Sequence, residues 1–387
     1  FDGTYTGFIG DAAFDHGYVV KVDQTITESL FKVYGTITIN NTNAYSVDAT
    51  ISDSVGGVAA TLLCTNPFTV PANGSAACDY YAFLPGKVNG TNTATITSLH
   101  PYVDGATATA DYTFGEPTTV VGYPTINVTD SFYGALGSAS GDLTFATYYK
   151  PFQCSTNQAD YTNGVWVMDD FVNTASIDEI PTKYDSATVK LTCYAPVLDK
   201  DASASWEERY DWEITKEPDG TYEGFIGDAA FDHNYTVNVD LTKVPQNFMV
   251  FGSIYVSNPA GSPGNMTVSL ADELATGVFA TVNCGASATS VTVAPRATGT
   301  CAYSGYLAAK TDGTNTAIGT FNGLSFVTTE AYAFGAATPV GFTTINVTDD
   351  KYGALGSATD DKTFNVTGSF QCSSNQADYI SGVWVMD

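Results

Sequence analysis

Positive charge is what this chain has least of: 14 Lys and Arg stand against 41 Asp and Glu, a formal net charge of −27. No basic patch exists to release counterions from phosphate, which excludes nucleic acid as a partner and repels anionic membrane surfaces. Such a field attracts cations, Ca²⁺ in particular. Charge of either sign is scarce, at 14% of residues against the usual quarter. Thr, Ser and Asn must therefore supply the polar surface, as in β-rich secreted proteins. No apolar run is long enough to cross a bilayer, so no membrane insertion is expected in this stretch, and no signal peptide opens at Phe1. There are only three histidines. With them come no Gly-x-Ser-x-Gly elbow, no Cys–His pair, no phosphate-cradling glycine loop and no metal-hydrolase motif. Catalysis is not expected, and no cofactor is required. A sustained helical period with caps is missing as well.

Repetition is what the chain has in abundance. Phe1–Asp23 (FDGTYTGFIGDAAFDHGYVVKVD) returns as Pro218–Asp240, Gly122–Phe145 as Gly341–Phe364, and Phe152–Asp169 as Phe370–Asp387. A long tandem period is how extended, quasi-one-dimensional proteins are written. The chain begins and ends out of phase with its own repeat, as a mature or excerpted stretch of something longer would.

The seven cysteines follow the same register. Cys64 and Cys78 recur as Cys284 and Cys301, and Cys154 as Cys372, while Cys193 has no second copy. The expected bridges are Cys64–Cys78, Cys154–Cys193 and Cys284–Cys301, leaving Cys372 without a partner. Disulfides place the protein in an oxidising compartment, outside the cell or on its surface.

Val33–Asn40 alternates, with Val33, Gly35, Ile37 and Ile39 on one face. Its copy keeps that face as Val250, Gly252, Ile254 and Val256 while the other face drifts. An apolar parity that holds while the solvent side varies marks a half-buried strand. Ala187, Val189, Leu191 and Cys193 alternate likewise, as do segments at Val47–Ser52, Asn92–Thr97 and Thr125–Thr129. Turn residues such as Pro71–Gly74 punctuate them. Short strands at this spacing predict an all-β chain of antiparallel sandwiches. A weaker symmetry lies inside each long repeat: Asp53-Ser54, Cys78 and Asn92-Thr93-Ala94 are echoed by Asp130-Ser131, Cys154 and Asn173-Thr174-Ala175. Each repeat thus divides into two related sandwiches, giving modules at 1–116, 117–217 and 218–336 and an incomplete fourth at 337–387. Short linkers make the array semi-rigid.

The runs Tyr34–Asn41, Thr69–Ser75 with Cys78, and Gly90–Thr95 resemble the tandem immunoglobulin-like repeats of bacterial extracellular surface proteins. Asp185–Tyr194 followed by Tyr210–Lys216 does so too. The resemblance spans most of the chain and implies β-sandwich modules of adhesins, stalks or surface layers. It carries over no catalytic set.

Few residues are candidates for chemistry. Asp11, Asp15 and His16 recur as Asp228, Asp232 and His233, a cation site or an inter-module contact built from carboxylates and imidazole. Their spacing matches neither an EF-hand nor a zinc motif. Eight glycosylation sequons occur, at Asn40, Asn73, Asn89, Asn127, Asn234, Asn265, Asn346 and Asn365. Trp166, Trp384, Trp206 and Trp212 serve packing or sugar stacking. A Lys–Asn crosslink is not expected at Lys21 or Lys32, since their copies are Asn238 and Met249. The expected function is a structural repeat glycoprotein of an extracellular filament, sheath or surface layer, its partners further copies of itself and possible glycans. The alternative is an adhesin stalk or carbohydrate-binding module.

Overall fold

The computed structural model describes residues 2–386, with the repeat ends Phe1 and Asp387 outside them. The chain is all-β. The helical pieces among the described residues are two 3-10 turns, Gln158–Asp160 and Gln376–Asp378, each begun by an Asn whose side chain accepts a backbone N–H. The strands fall in two compact units.

One unit comprises Val19–Tyr148 and Asn173–Ser186. Phe31–Asn41 pairs antiparallel with Gly74–Leu84 along its whole length, and Thr61–Leu62 adds to that sheet. The facing sheet is built on Val47–Val55 and Gly90–Ser98, flanked by Ala106–Tyr112. The alternating residues meet between the sheets: Val33, Ile37, Ile39, Ile51, Val55 and Val70 are buried in one cluster with Cys78 and Tyr80. Tyr34, on the other parity, is 75% exposed. At Pro71–Gly74 the chain turns with Asn73 at φ +48°, a left-handed conformation that Asn tolerates. A second element of this unit pairs Ile126–Asp130 with Gly134–Ala139 on one edge and Ala175–Ile177 on the other.

The other unit comprises residues up to Tyr18, Tyr149–Val172 and everything from Ala187. Its central strand, Phe231–Ser257, runs for 27 residues, about 90 Å at ~3.3 Å per residue. That one strand enters two cores. Val250, Ile254 and Val256 pack with Met266, Val268, Leu270 and Leu274 of the facing sheet. Val237 and Val239 pack with Val347, Ala358 and Phe364. Its first half pairs with Lys362–Phe370, its second with Thr298–Tyr306. Val197–Lys200 and Ser203–Glu217 line its other edge. Hydrogen bonding therefore runs past the sequence joint near 217: residues from Val197 onward pair with the strand that follows.

Pairing is antiparallel with exceptions. Gly3–Phe8 lies parallel to Val189–Tyr194, and Thr338–Val340 parallel to Glu207–Arg209. Parallel partners must be far apart in sequence, which is why alternation alone does not reveal them. Beyond Phe8 the chain enters the neighbouring core: Ile9 is fully buried in the cluster around Val250 and Ile254. Phe8 meets Phe321 edge-on, with ring centroids 5.5 Å apart. The near-identical copy Gly220–Phe225 pairs with no strand among the described residues. There Phe225 is 81% and Ile226 45% exposed. Gly3–Phe8 has Val189–Tyr194 beside it, and among the described residues no strand stands beside Gly220–Phe225.

Candidate functional site

Three polar side chains meet in the interior of the sandwich around Ile254. Lys200 ends the strand Val197–Lys200, opposite Ile254 in the register. Asp272 and Asn315 sit on the facing sheet, where Asp272 pairs with Ala317. Asn315 lies two residues from Ala317, on the same side of its strand, and all three are buried. Lys200 Nζ donates to Asp272 Oδ2 at 2.7 Å, with neither side chain exposed to solvent. Nζ also lies 4.3 Å from the centre of the Tyr303 ring. The Asn315 amide adjoins both Asp272 and Tyr303. Yet its Oδ1 and Nδ2, and Asp272 Oδ1, complete no well-formed hydrogen bond. Asn315 is thus close to its neighbours and poorly satisfied by them.

This arrangement is costly. Desolvation is the largest influence on both ions: burial pushes the Asp272 carboxyl up and the Lys200 ammonium down, against the pull of their ion pair. Both shifts favour a neutral amine beside a carboxylic acid. The sandwich closes tightly over the group. A Cβ on Gly252 would stand 2.4 Å from the Asp201 backbone oxygen and 2.8 Å from Tyr303 Oη, and that hydroxyl donates to the same Asp201 oxygen at 2.7 Å.

Parts of the same cluster recur elsewhere. In the sandwich around Ile37, Asp53 and Asn92 occupy the matching positions, both buried. Burial raises the Asp53 carboxyl, and its two oxygens complete no well-formed hydrogen bond. Asp130 takes the Asn173 amide on Oδ2 at 2.9 Å, with its Oδ1 held by the amides of Phe132 and Tyr133. Asp349, the copy of Asp130, receives the corresponding amides of Lys351 and Tyr352 on Oδ1 and Lys216 Nζ on Oδ2 at 2.7 Å. Lys216 Nζ lies 4.5 Å from the Tyr235 ring centre, much as Lys200 faces Tyr303. The Lys216 hydrogen bond is the main cause that holds Asp349 down at about 2. The weak symmetry of Asp53–Asn92 with Asp130–Asn173 was visible in the sequence. The lysines were not, because each lies in the strand preceding its own sandwich.

The residues proposed from sequence are placed as follows. The disulfides Cys64–Cys78, Cys154–Cys193 and Cys284–Cys301 are formed, and Cys372 is free and half-buried. Asp11 and His16 have separate partners. Asp11 caps the Phe8 amide and receives Asn322 Nδ2 at 3.0 Å, while Asn322 also donates to the Ile9 carbonyl. His16 is buried and bonds Tyr5 Oη through Nδ1, whereas Asp15 is exposed. In the copy, Asp228 caps Phe225, His233 bonds Tyr222 and Asp232 is exposed. Among the described residues no three His, Cys, Asp or Glu side chains gather to hold a metal. Asp11 instead joins one sandwich to the next. All eight sequon asparagines are exposed. Trp206 and Trp212 donate to the Gly335 and Phe342 carbonyls and are half-buried, fastening the segment between two sandwiches. No described helix is long and apolar enough to cross a membrane.

No protein-family model and no curated protein matches the chain. Among solved structures it is similar to a tetra-tandem repeat in the extending region of a large adhesion protein, at 12% identity over 82% of this chain and 99% of that one, with a TM-score of 0.13. It is similar also to immunoglobulin domains 1–4 of Sidekick-1, at 9% identity over 84% of this chain and 100% of that one, with a TM-score of 0.12. At such values the fold stands on the strand pairing described above, and these likenesses add no argument to it.

Proposed function

We propose that this chain is a structural section of an extracellular repeat glycoprotein, part of the shaft or wall of a filament, sheath or surface layer. The observation that carries this is the strand Phe231–Ser257, whose two halves lie in separate cores. Tension along such a strand is resisted by hydrogen-bonded ladders in both sandwiches, with no slack linker between them. The Ile9 and Asn322 contacts and the three disulfides work in the same direction. No substrate or cofactor enters this role. Copies of the chain are its partners, and the exposed sequons would carry glycans outward. Electron microscopy of the purified protein should show regular fibres; a dispersed monomer under all assembly conditions would contradict the role.

One observation favours a second role, an adhesin stalk or carbohydrate-binding module: large aromatics stand in solvent, among them Tyr102 (88%), Tyr34 (75%) and Phe342 (74%). Aromatic faces stack on sugars. Specific binding of the monomer on a glycan array, lost on Tyr102→Ala or Tyr34→Ala, would select this role over the first.

A further inference from the structure

We infer that Lys200 and Asn315 join through an intramolecular amide bond, formed by the protein on itself with Asp272 as the catalytic acid and base. Three observations carry it. Lys200 Nζ and the Asn315 amide share the same two neighbours, Asp272 and Tyr303. All three groups are fully enclosed in one core, where water cannot compete for the amide. The cluster is also poorly satisfied as it stands, with Asn315 Oδ1 and Nδ2 and Asp272 Oδ1 lacking good hydrogen bonds. Buried polar groups are ordinarily paired, and an unpaired one asks for an explanation. Two-member parts of the cluster recur as Asp53 with Asn92, Asp130 with Asn173 and Lys216 with Asp349, whereas lysine, aspartate and asparagine come together around Ile254.

The chemistry balances without any outside reagent. The ion pair first passes its proton from Lys200 Nζ to Asp272, leaving a neutral amine and a carboxylic acid. Burial favours that direction, and a desolvated lysine is the nucleophilic form. The Nζ lone pair attacks Asn315 Cγ while Asp272 protonates the carbonyl oxygen. Asp272 then takes a proton from the attacking nitrogen, delivers one to the departing amide nitrogen, and recovers the hydroxyl proton as the carbonyl re-forms, ending as the carboxylic acid. The Cγ–N bond of the asparagine breaks, a new Cγ–Nζ bond remains, and one ammonia leaves. No group is oxidised or reduced. Enclosure holds amine and amide together, which replaces the activation such a displacement needs in solution. The bond ties the strand Val197–Lys200 to Gly313–Phe321 in the facing sheet, so the sandwich could not be pulled apart without breaking a covalent link.

Among the described residues the recurring parts are pairs: Lys216 with Asp349, Asp53 with Asn92, and Asp130 with Asn173. One crosslink is therefore expected, not several. The test is the intact mass of the folded, disulfide-reduced full chain under denaturing conditions. The mass should fall short of the sequence mass by one ammonia, and proteolysis should yield a branched peptide joining the Lys200 and Asn315 segments. Lys200→Arg, Asp272→Ala and Asn315→Ala should each restore the full mass, with circular dichroism reporting whether each variant keeps its strands. The wild-type mass decides the matter even if every variant misfolds. A full sequence mass in folded wild-type protein would overturn the proposal. So would an ammonia deficit that maps to Asn73, Asn89, Asn163 or Asn322, each followed by glycine, with Lys200 recovered in a linear peptide.

Discussion

Ile9 and Ile226 occupy the same place in two copies of the motif Gly-Phe-Ile-Gly-Asp, yet one is fully buried and the other 45% exposed. Truncating each to alanine sets tertiary context against identical local sequence. Ile9 sits in the core with Val250, Ile254 and Tyr194, and its amide donates to the Tyr194 carbonyl. Ile9→Ala removes a wholly buried branched side chain and leaves a cavity between packed sheets, for which about 2–5 kcal/mol is the ordinary loss. Ile226→Ala leaves no closed cavity, because water reaches the site. It forfeits about half of the ~1.5–3 kcal/mol that full burial of such a side chain contributes, so about 1 kcal/mol. A chain with several cores need not unfold in one step, so native-state hydrogen exchange is the suitable assay, followed at Val189–Tyr194 and Val250–Val256. Ile9→Ala should lower protection at both segments by the larger amount, and Ile226→Ala should leave both nearly unchanged. Equal losses from the two substitutions would refute the packing argument, since local sequence alone would then set the cost.

Three further outcomes are expected. Replacing Cys154 and Cys193 together by alanine frees a loop of 39 residues and should cost about 4 kcal/mol on the loop-entropy scale. Cys372→Ala, which breaks no bridge, should change stability by only ~0.5 kcal/mol; urea unfolding separates the two. Asp349 is held at about 2 by Lys216, below the ~3.9 of an unfolded aspartate. The stabilisation is therefore fully present above the unfolded value and is lost as pH falls through the folded one. Thermal melts between pH 5 and 1.5 should show that loss in the wild type, and the acid limb should flatten in Lys216→Met; an unchanged acid limb would count against the pairing. Gly252→Ala would drive a methyl group against the Asp201 backbone and Tyr303 Oη, costing about 1–3 kcal/mol. A neutral effect on the melting temperature would mean that the sheets close less tightly there than described.

The cysteine pairing was legible because a duplicated chain prints its bridges twice: Cys64 and Cys78 recur together as Cys284 and Cys301. The buried cluster was only half legible. Asp53 with Asn92 and Asp130 with Asn173 stood out as an echo within the repeat. Lys200 did not, since it lies in the strand before its sandwich and its alternation belongs to a neighbouring segment. Lys21 and Lys32, whose copies are Asn238 and Met249, stand in other strands. The Asp11 and His16 motif was conspicuous for its repetition, but Asp11 is met by Asn322, more than three hundred residues away, and His16 by Tyr5.

Period-two alternation, turn residues and doubled cysteines determine from sequence alone that this chain is made of strands and which face of each is apolar. Those are local properties of the backbone and of side-chain parity. What alternation does not encode is the neighbour on the other side of a strand. The parallel pairing of Gly3–Phe8, the sharing of Phe231–Ser257 between two cores, the opposite burial of Ile9 and Ile226 and the meeting of Lys200 with Asp272 and Asn315 were decided by tertiary structure. Burial and covalent opportunity depend on which distant segment closes over a residue.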